Sequence, residues 1–168
     1  MSVVETETRK NLEKAFIGEA KAYFRLLNFA RKAEEEGYPH IALLFRAVAE
    51  AEAVHARNYF SLIEGVGTTE ENLKRSFENE TFVSELAYPE MLKQAWRDED
   101  KAAIWWFTAA RNAEERHGKL YKYALDHMLA ERMTVYYVCS HCGWIEDGIC
   151  PDTCPNCGKD KSWFMRIG

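Results

Sequence analysis

Val48-Ala49-Glu50-Ala51-Glu52-Ala53-Val54-His55-Ala56-Arg57-Asn58-Tyr59 is the stretch that decides the fold. Apolar residues recur around it in steps of three and four (Ile41, Phe45, Val48, then Tyr59 and Leu62), the period of a helix with one buried face. Glu52 and His55 interrupt that face one turn apart and point the same way. An unpaired charge buried there costs several kcal/mol or more, so both groups need a partner, and a metal ion is the economical one.

The same pattern returns further along. A second stripe, Ala103, Phe107, Ala110, Glu114, His117, Tyr121, Ala124 and Met128, carries another Glu-x-x-His. Two more stripes each carry a single carboxylate: Glu19 among Leu12, Phe16, Tyr23, Leu26 and Ala30, and Glu80 among Leu73, Phe77, Ser84, Ala87 and Met91. From Glu19 to Glu52 is 33 residues, and from Glu80 to Glu114 is 34. A lone Glu followed one helix and turn later by Glu-x-x-His, twice over, reads as a duplicated αα-hairpin closing a four-helix core. Glu34, Glu35 and Glu36 make only a charged helix end, Glu13, Glu50, Glu71 and Glu115 fall off the stripes, and His40 and His127 read as surface residues.

Turn signals divide the chain. Gly37-Tyr38-Pro39, Gly65-Val66-Gly67-Thr68 and Asp98-Glu99-Asp100 set helices at roughly 3–36, 40–65, 69–97 and 99–132. Thr68 or Thr69 with a following Glu suits a helix start, and Pro89 should bend the third helix. The short loops favour antiparallel neighbours. At Thr134 the character changes to Val135-Tyr136-Tyr137-Val138, a β-prone run, so the expected division is a helical domain over 1–133 and a small one over 134–168. About 35 residues are too few to be stable by burial alone, so the small domain needs a staple.

All five cysteines lie in that tail. Cys139-x-x-Cys142 and Cys154-x-x-Cys157 are paired knuckles with the spacing of a tetrahedral four-cysteine site for zinc or iron. Cys150 reads as a bystander thiol and His141 as a residue within the first knuckle. Oxygen ligands with two imidazoles suit iron, manganese or zinc, and bridging carboxylates hold two ions close while balancing their charge. The expected sets are Glu19, Glu52 and His55 around one ion and Glu80, Glu114 and His117 around the other, with Glu52 and Glu114 bridging.

The bulk properties exclude little but agree. The chain has 168 residues and a formal charge of −5, with no basic patch, which argues against nucleic acid. No apolar run resembles a signal peptide or approaches a membrane span, so a cytoplasmic protein is expected.

Phe16-Ile17-Gly18-Glu19, Glu52-Ala53-Val54-His55, Tyr88-Pro89, Glu114-Glu115-Arg116-His117, and the tail Cys139-Ser140-His141-Cys142-Gly143 with Cys154-Pro155-Asn156-Cys157-Gly158 together resemble the rubrerythrin family in order and over essentially the whole chain. The resemblance implies a ferritin-like four-helix bundle followed by a rubredoxin-like domain. It implies two carboxylate-bridged iron ions and one iron held by Cys139, Cys142, Cys154 and Cys157, with Cys-Pro-x-Cys-Gly favouring iron over zinc at the knuckles.

The family's activity implies reduction of hydrogen peroxide, with O2 as another possible oxidant. Electrons would come through the cysteine-bound iron from rubredoxin or an NAD(P)H-dependent reductase, in a homodimer or larger assembly. Tyr88 is the candidate proton donor and Tyr23 a second. The rivals are a ferroxidase handling iron as product and a zinc-loaded structural module.

Two positions depart from the family pattern. Val83 stands where a further Glu ligand is usual, and Leu26 where a tyrosine is common. Without a competing ligand at Val83, His55 is expected to stay on its metal in both oxidation states. Glu78 and Glu85, two and five residues from Glu80, face elsewhere at about 100° per residue.

Overall fold

The structure is a computed structural model that describes residues 6–128 and 134–168. The chain forms two compact units, divided between Val66 and Gly67.

The first unit is a helical hairpin. α1 spans Glu7–Glu35, and Thr6 starts it by accepting a hydrogen bond from the Arg9 N–H, satisfying one of the orphan donors of the first turn. Gly37, at φ +82°, makes the left-handed residue that ends the helix, and Pro39 opens α2, which runs Pro39–Ile63. Ala30, Ala33 and Ala42 are buried between the two, with Phe45 packed against them. Small side chains let the helices approach closely, and they leave the hairpin with a thin interior.

The second unit begins at a capping box. Thr68 accepts from the Glu71 N–H while the Glu71 carboxylate accepts from the Thr68 N–H at 2.7 Å, which fixes the start of α3, Thr69–Phe82. The expected single helix over 69–97 is three pieces: α3, a π-helical turn Val83–Ala87, and α4, Tyr88–Arg97. Pro89 is the physical reason. It has no N–H to return to the preceding turn, and the ladder widens so that the Tyr88 N–H reaches back five residues to the Val83 carbonyl. A five-residue ladder would next need a donor from Pro89 for the Ser84 carbonyl. Arg111 Nε supplies one at 3.1 Å from the neighbouring α5.

Asp100 caps α5 through the Ala103 N–H, and α5 covers Lys101–Asp126, shorter than the expected 99–132. Of that expectation, residues 129–132 lie outside the described part, as do 3–5 of the first helix. The sheet has the order β2-β1-β3, all antiparallel, from β1 (Tyr136–Cys139), β2 (Ile145–Asp147) and β3 (Phe164–Ile167). It is anchored to α5 within the same unit. Arg116 Nε donates to the Ile145 carbonyl at 3.0 Å, its other nitrogen pairs with Glu146 at 2.9 Å, and Asn156 donates to the Ala109 carbonyl at 2.8 Å.

Candidate metal centres

The four knuckle cysteines form the better-defined centre. Each knuckle is the same turn: Gly143 N–H bonds to the Cys139 carbonyl and Gly158 N–H to the Cys154 carbonyl, with both glycines at positive φ. The turns aim backbone N–H groups of His141 and Cys142 at Cys139, and of Asn156 and Cys157 at Cys154. Cys139–Cys157 and Cys142–Cys154 sulfurs are 3.7 Å apart. A disulfide needs about 2 Å. Tetrahedral metal–sulfur bonds of about 2.3 Å place the sulfurs about 3.8 Å apart, so the set has the dimensions of a four-thiolate metal site.

The thiol acidities fit that reading. Burial pushes Cys142 and Cys154 up. For Cys139 burial also opposes ionisation but is outweighed by the N–H donors of Cys142 and His141, so its pKa falls. Four clustered thiolates need a cation to be stable together. Cys150 is half-buried with its thiol toward the Pro151 carbonyl. His141 sits among Trp105, Trp106 and Trp163, with ring centroids 5.2 to 5.5 Å away.

The carboxylate ligands gather as two trios, each with its potential ligand atoms within 4.8 Å of one another: Glu19, Glu52 and His55 in the first unit, and Glu80, Glu114 and His117 in the second. In the first trio His55 Nδ1 is 3.1 Å from Glu52 and 3.8 Å from Glu19, and the ring is half exposed. In the second, His117 is held at both nitrogens. Nδ1 is 2.9 Å from Glu114, and Nε2 is 2.9 Å from the Gly143 carbonyl, which accepts its proton. Gly143 belongs to the first cysteine knuckle, so the knuckle turn orients this imidazole directly.

Electrostatics follow the contacts. Glu80 is pushed up to about 7, first by burial and then by its hydrogen bond to Glu114 and that neighbour's charge. Glu114 is held below the usual carboxylate range by its hydrogen bond to His117, against burial. Burial opposes charging His117, but the Glu114 hydrogen bond, the Gly143 carbonyl and the two carboxylate charges outweigh it, and its pKa rises. A buried carboxyl retaining its proton beside an imidazolium is what a cation site looks like before its cation enters.

Tyr88 is half-buried near this trio, 6.2 Å ring to ring from Phe107, and its pKa is raised by burial and then by Glu114 and Glu80. Tyr23 lies edge-on to Phe24 at 5.2 Å. Val83 opens the π turn and offers no donor atom. Glu85 is exposed, borders a cleft with Ser84, Arg111 and Glu114, and is no member of the trio. The sequence reading missed Gly143, Arg116 and Asn156, which seat the cysteine domain. The last two occupy spacer positions within the metal motifs, where side chains carry no ligand signature.

A rubrerythrin family model matches residues 10–125. The chain is 32% identical to Rubrerythrin-2 of Clostridium acetobutylicum, covering 99% of this chain and 100% of that protein. It is 31% identical to a rubrerythrin of Porphyromonas gingivalis, covering 97% and 91%. Among solved structures, nigerythrin in its fully reduced, all-ferrous state matches with a TM-score of 0.58 and 28% identity over 99% of this chain and 89% of that one. These likenesses fit a ferritin-like helical fold with a rubredoxin-like four-cysteine domain.

Proposed function

We propose that this chain, which belongs to the rubrerythrin family, is a peroxidase that reduces hydrogen peroxide to water with electrons delivered through its cysteine-bound iron. Membership makes it a di-iron oxidative-stress protein of oxidoreductase type, with two carboxylate-bound irons and one bound by cysteines. Glu19, Glu52 and His55 would hold one of the pair and Glu80, Glu114 and His117 the other, with Glu52 and Glu114 bridging. When bound, the paired irons supply Lewis acidity and the two electrons that cleave the O–O bond.

The contact between His117 Nε2 and the Gly143 carbonyl carries this reading. A storage protein has no use for an electron carrier seated on its metal ligand, and a purely structural knuckle has no need to orient an imidazole. With Nε2 donating to the Gly143 carbonyl, Nδ1, which faces Glu114, is the nitrogen that would ligate. Arg116 and Asn156 keep the knuckle against α5, so the cysteine turn and the second trio share one rigid frame.

Reduction of H2O2 to two waters consumes two electrons and two protons. Tyr88, whose pKa is raised by burial and by the charges of Glu114 and Glu80, is the candidate proton donor. Tyr23 is a second phenol, one turn after Glu19. Rubredoxin or an NAD(P)H-dependent reductase would be the electron donor, the protein a cytoplasmic homodimer or larger homo-oligomer. No helix among the described residues is long and apolar enough to cross a membrane.

Supplied anaerobically with reduced rubredoxin as electron donor, the protein should consume peroxide steadily, and Glu52→Ala or Glu114→Ala should abolish turnover. Unchanged turnover in both variants, or progressive iron deposition with O2 in place of turnover, would overturn the assignment.

A further inference from the structure

A groove that neither metal centre uses lies where α4, α5 and the second cysteine knuckle meet. Its volume is about 470 Å³, and its walls include Trp96 from α4, Lys101, Trp105 and Asn112 from α5, and Asn156 from between Cys154 and Cys157. Pockets of this size, mostly apolar with a few fixed polar groups, are where proteins hold small molecules.

The walls narrow the class of molecule. Trp96 is 66% exposed and Trp105 42%, and two open indoles favour a planar aromatic ring laid against them. Lys101 is the one charged side chain among the lining residues and forms no ion pair among the described residues, so an anionic group suits it. Asn156 donates to the Ala109 carbonyl and accepts from Asn112 Nδ2 at 3.2 Å. Both amides are thereby fixed, and Asn112 Oδ1 is left to accept from a ring N–H.

The groove also reaches both cysteine turns. Trp105 is 5.3 Å, ring to ring, from His141, whose backbone N–H bonds to the Cys139 sulfur, and Asn156 gives its own N–H to the Cys154 sulfur. Cys139 and Cys154 are each only 1% exposed. A molecule in the groove therefore stands one or two residues from two sulfurs that solvent does not reach. A four-cysteine iron centre exchanges single electrons. Nicotinamides give up a hydride, which such a centre cannot take, whereas a flavin has a planar ring and releases its two electrons singly.

Resting on the reading that electrons enter through the cysteine-bound iron, we propose that the groove between Trp96 and Trp105 binds reduced flavin mononucleotide and is the electron-entry site. The flavin ring lies on the indoles and its phosphate meets Lys101. Each reduced flavin becomes oxidised flavin by releasing two protons and two electrons, and the electrons pass one at a time to ferric iron in the cysteine site. These are the two electrons that H2O2 takes in becoming two waters. An NAD(P)H-dependent flavin reductase would renew the donor.

Titration of flavin mononucleotide into zinc-loaded, full-length protein tests binding apart from any redox step. Saturable quenching of flavin fluorescence at one flavin per chain is expected. Trp96→Leu should weaken binding about ten-fold, the scale of stacking on one aromatic face. Lys101→Gln should weaken it roughly three-fold while riboflavin, which has no phosphate, binds both proteins alike. Cobalt(II) absorption of the four-cysteine site shows that each variant is folded. Absence of saturable quenching, or equal affinity in folded Trp96→Leu, overturns the proposal.

Stopped flow of iron-loaded protein against photoreduced flavin mononucleotide tests electron entry. The visible absorption of the cysteine-bound iron should bleach at a rate that saturates with flavin, and Trp96→Leu should need about ten-fold more flavin for half that rate. NADH alone should leave the absorption in place. A rate that is linear in flavin and equal in the variant overturns the proposal. Steady peroxide consumption with reduced rubredoxin in a protein that binds no flavin overturns the groove assignment and leaves the peroxidase standing. Flavin binding and iron reduction without peroxide consumption overturns the peroxidase and leaves the groove assignment standing.

Discussion

The two trios have the same ligand types at nearly the same spacing, yet their settings differ. His55 is 53% exposed at the side chain and meets only carboxylates, whereas His117 is 18% exposed and is held at both nitrogens. The difference comes from the cysteine domain, whose Gly143 carbonyl occupies the second nitrogen of His117. A metal ligand already in its bound orientation loses less conformational freedom on binding, so one trio is prepared for metal by its own unit and the other is not.

The largest test of that contrast is removal of each imidazole in turn. His117→Ala should weaken the tighter-held ion by roughly 100-fold or more, and His55→Ala should cost less, because less preorganisation is lost. Cobalt(II) titrations against a competing chelator, with the four-cysteine site already filled, would read both. Equal losses, or a larger loss for His55→Ala, would mean that the Gly143 contact contributes nothing to metal affinity.

The contrast is only partly readable in the sequence. Glu52, His55, Glu114 and His117 announce themselves because they interrupt apolar stripes, and helical periodicity is enough to group each trio. Pro89 signals a lost hydrogen bond but not how the ladder re-forms, which depends on Arg111 arriving from α5. The Gly143 carbonyl has no signature at all. Every residue has such an acceptor, and only the docking of the sheet on α5 decides which one meets an imidazole. Arg116 reads as a spacer between Glu114 and His117, and its role depends on β2, about thirty residues away in the chain.

Arg116 is also where the contrast can be weakened without touching a ligand. Arg116→Met keeps an apolar stem of similar length but leaves the Ile145 carbonyl and the Glu146 carboxylate without their donor, at a cost of roughly 2–3 kcal/mol to the docking of the sheet. Amide exchange in β2 and around Gly143 should accelerate while α1 and α2 keep wild-type protection. Faster exchange in the first hairpin too, or none in β2, would show that Arg116 does not anchor the sheet.

The smallest effect is in pH. Metal-free Glu80 carries a folded-state pKa of about 7, above its ordinary value of 4.5, so the folded protein binds its proton more tightly than the unfolded chain does. That contribution to stability is complete below about pH 4.5 and is lost as pH rises through 7. His117, also raised, changes in the same direction, and its contribution is lost as pH climbs past its folded value. Glu114, lowered, behaves oppositely: its contribution is present above the ordinary carboxylate pKa and disappears only in acid. Between pH 6 and 8 the metal-free second unit should therefore become less stable, by a modest amount because Glu80 is partly solvated. Thermal melts of chelator-treated protein across that range should show the decline. Glu80→Gln, which keeps a hydrogen-bond donor beside Glu114 without a titrating proton, should flatten it. Filling the site with metal should also remove the slope, since the cation takes the place of the proton on Glu80. A decline of the same size in Glu80→Gln would locate its origin in groups other than Glu80, His117 among them.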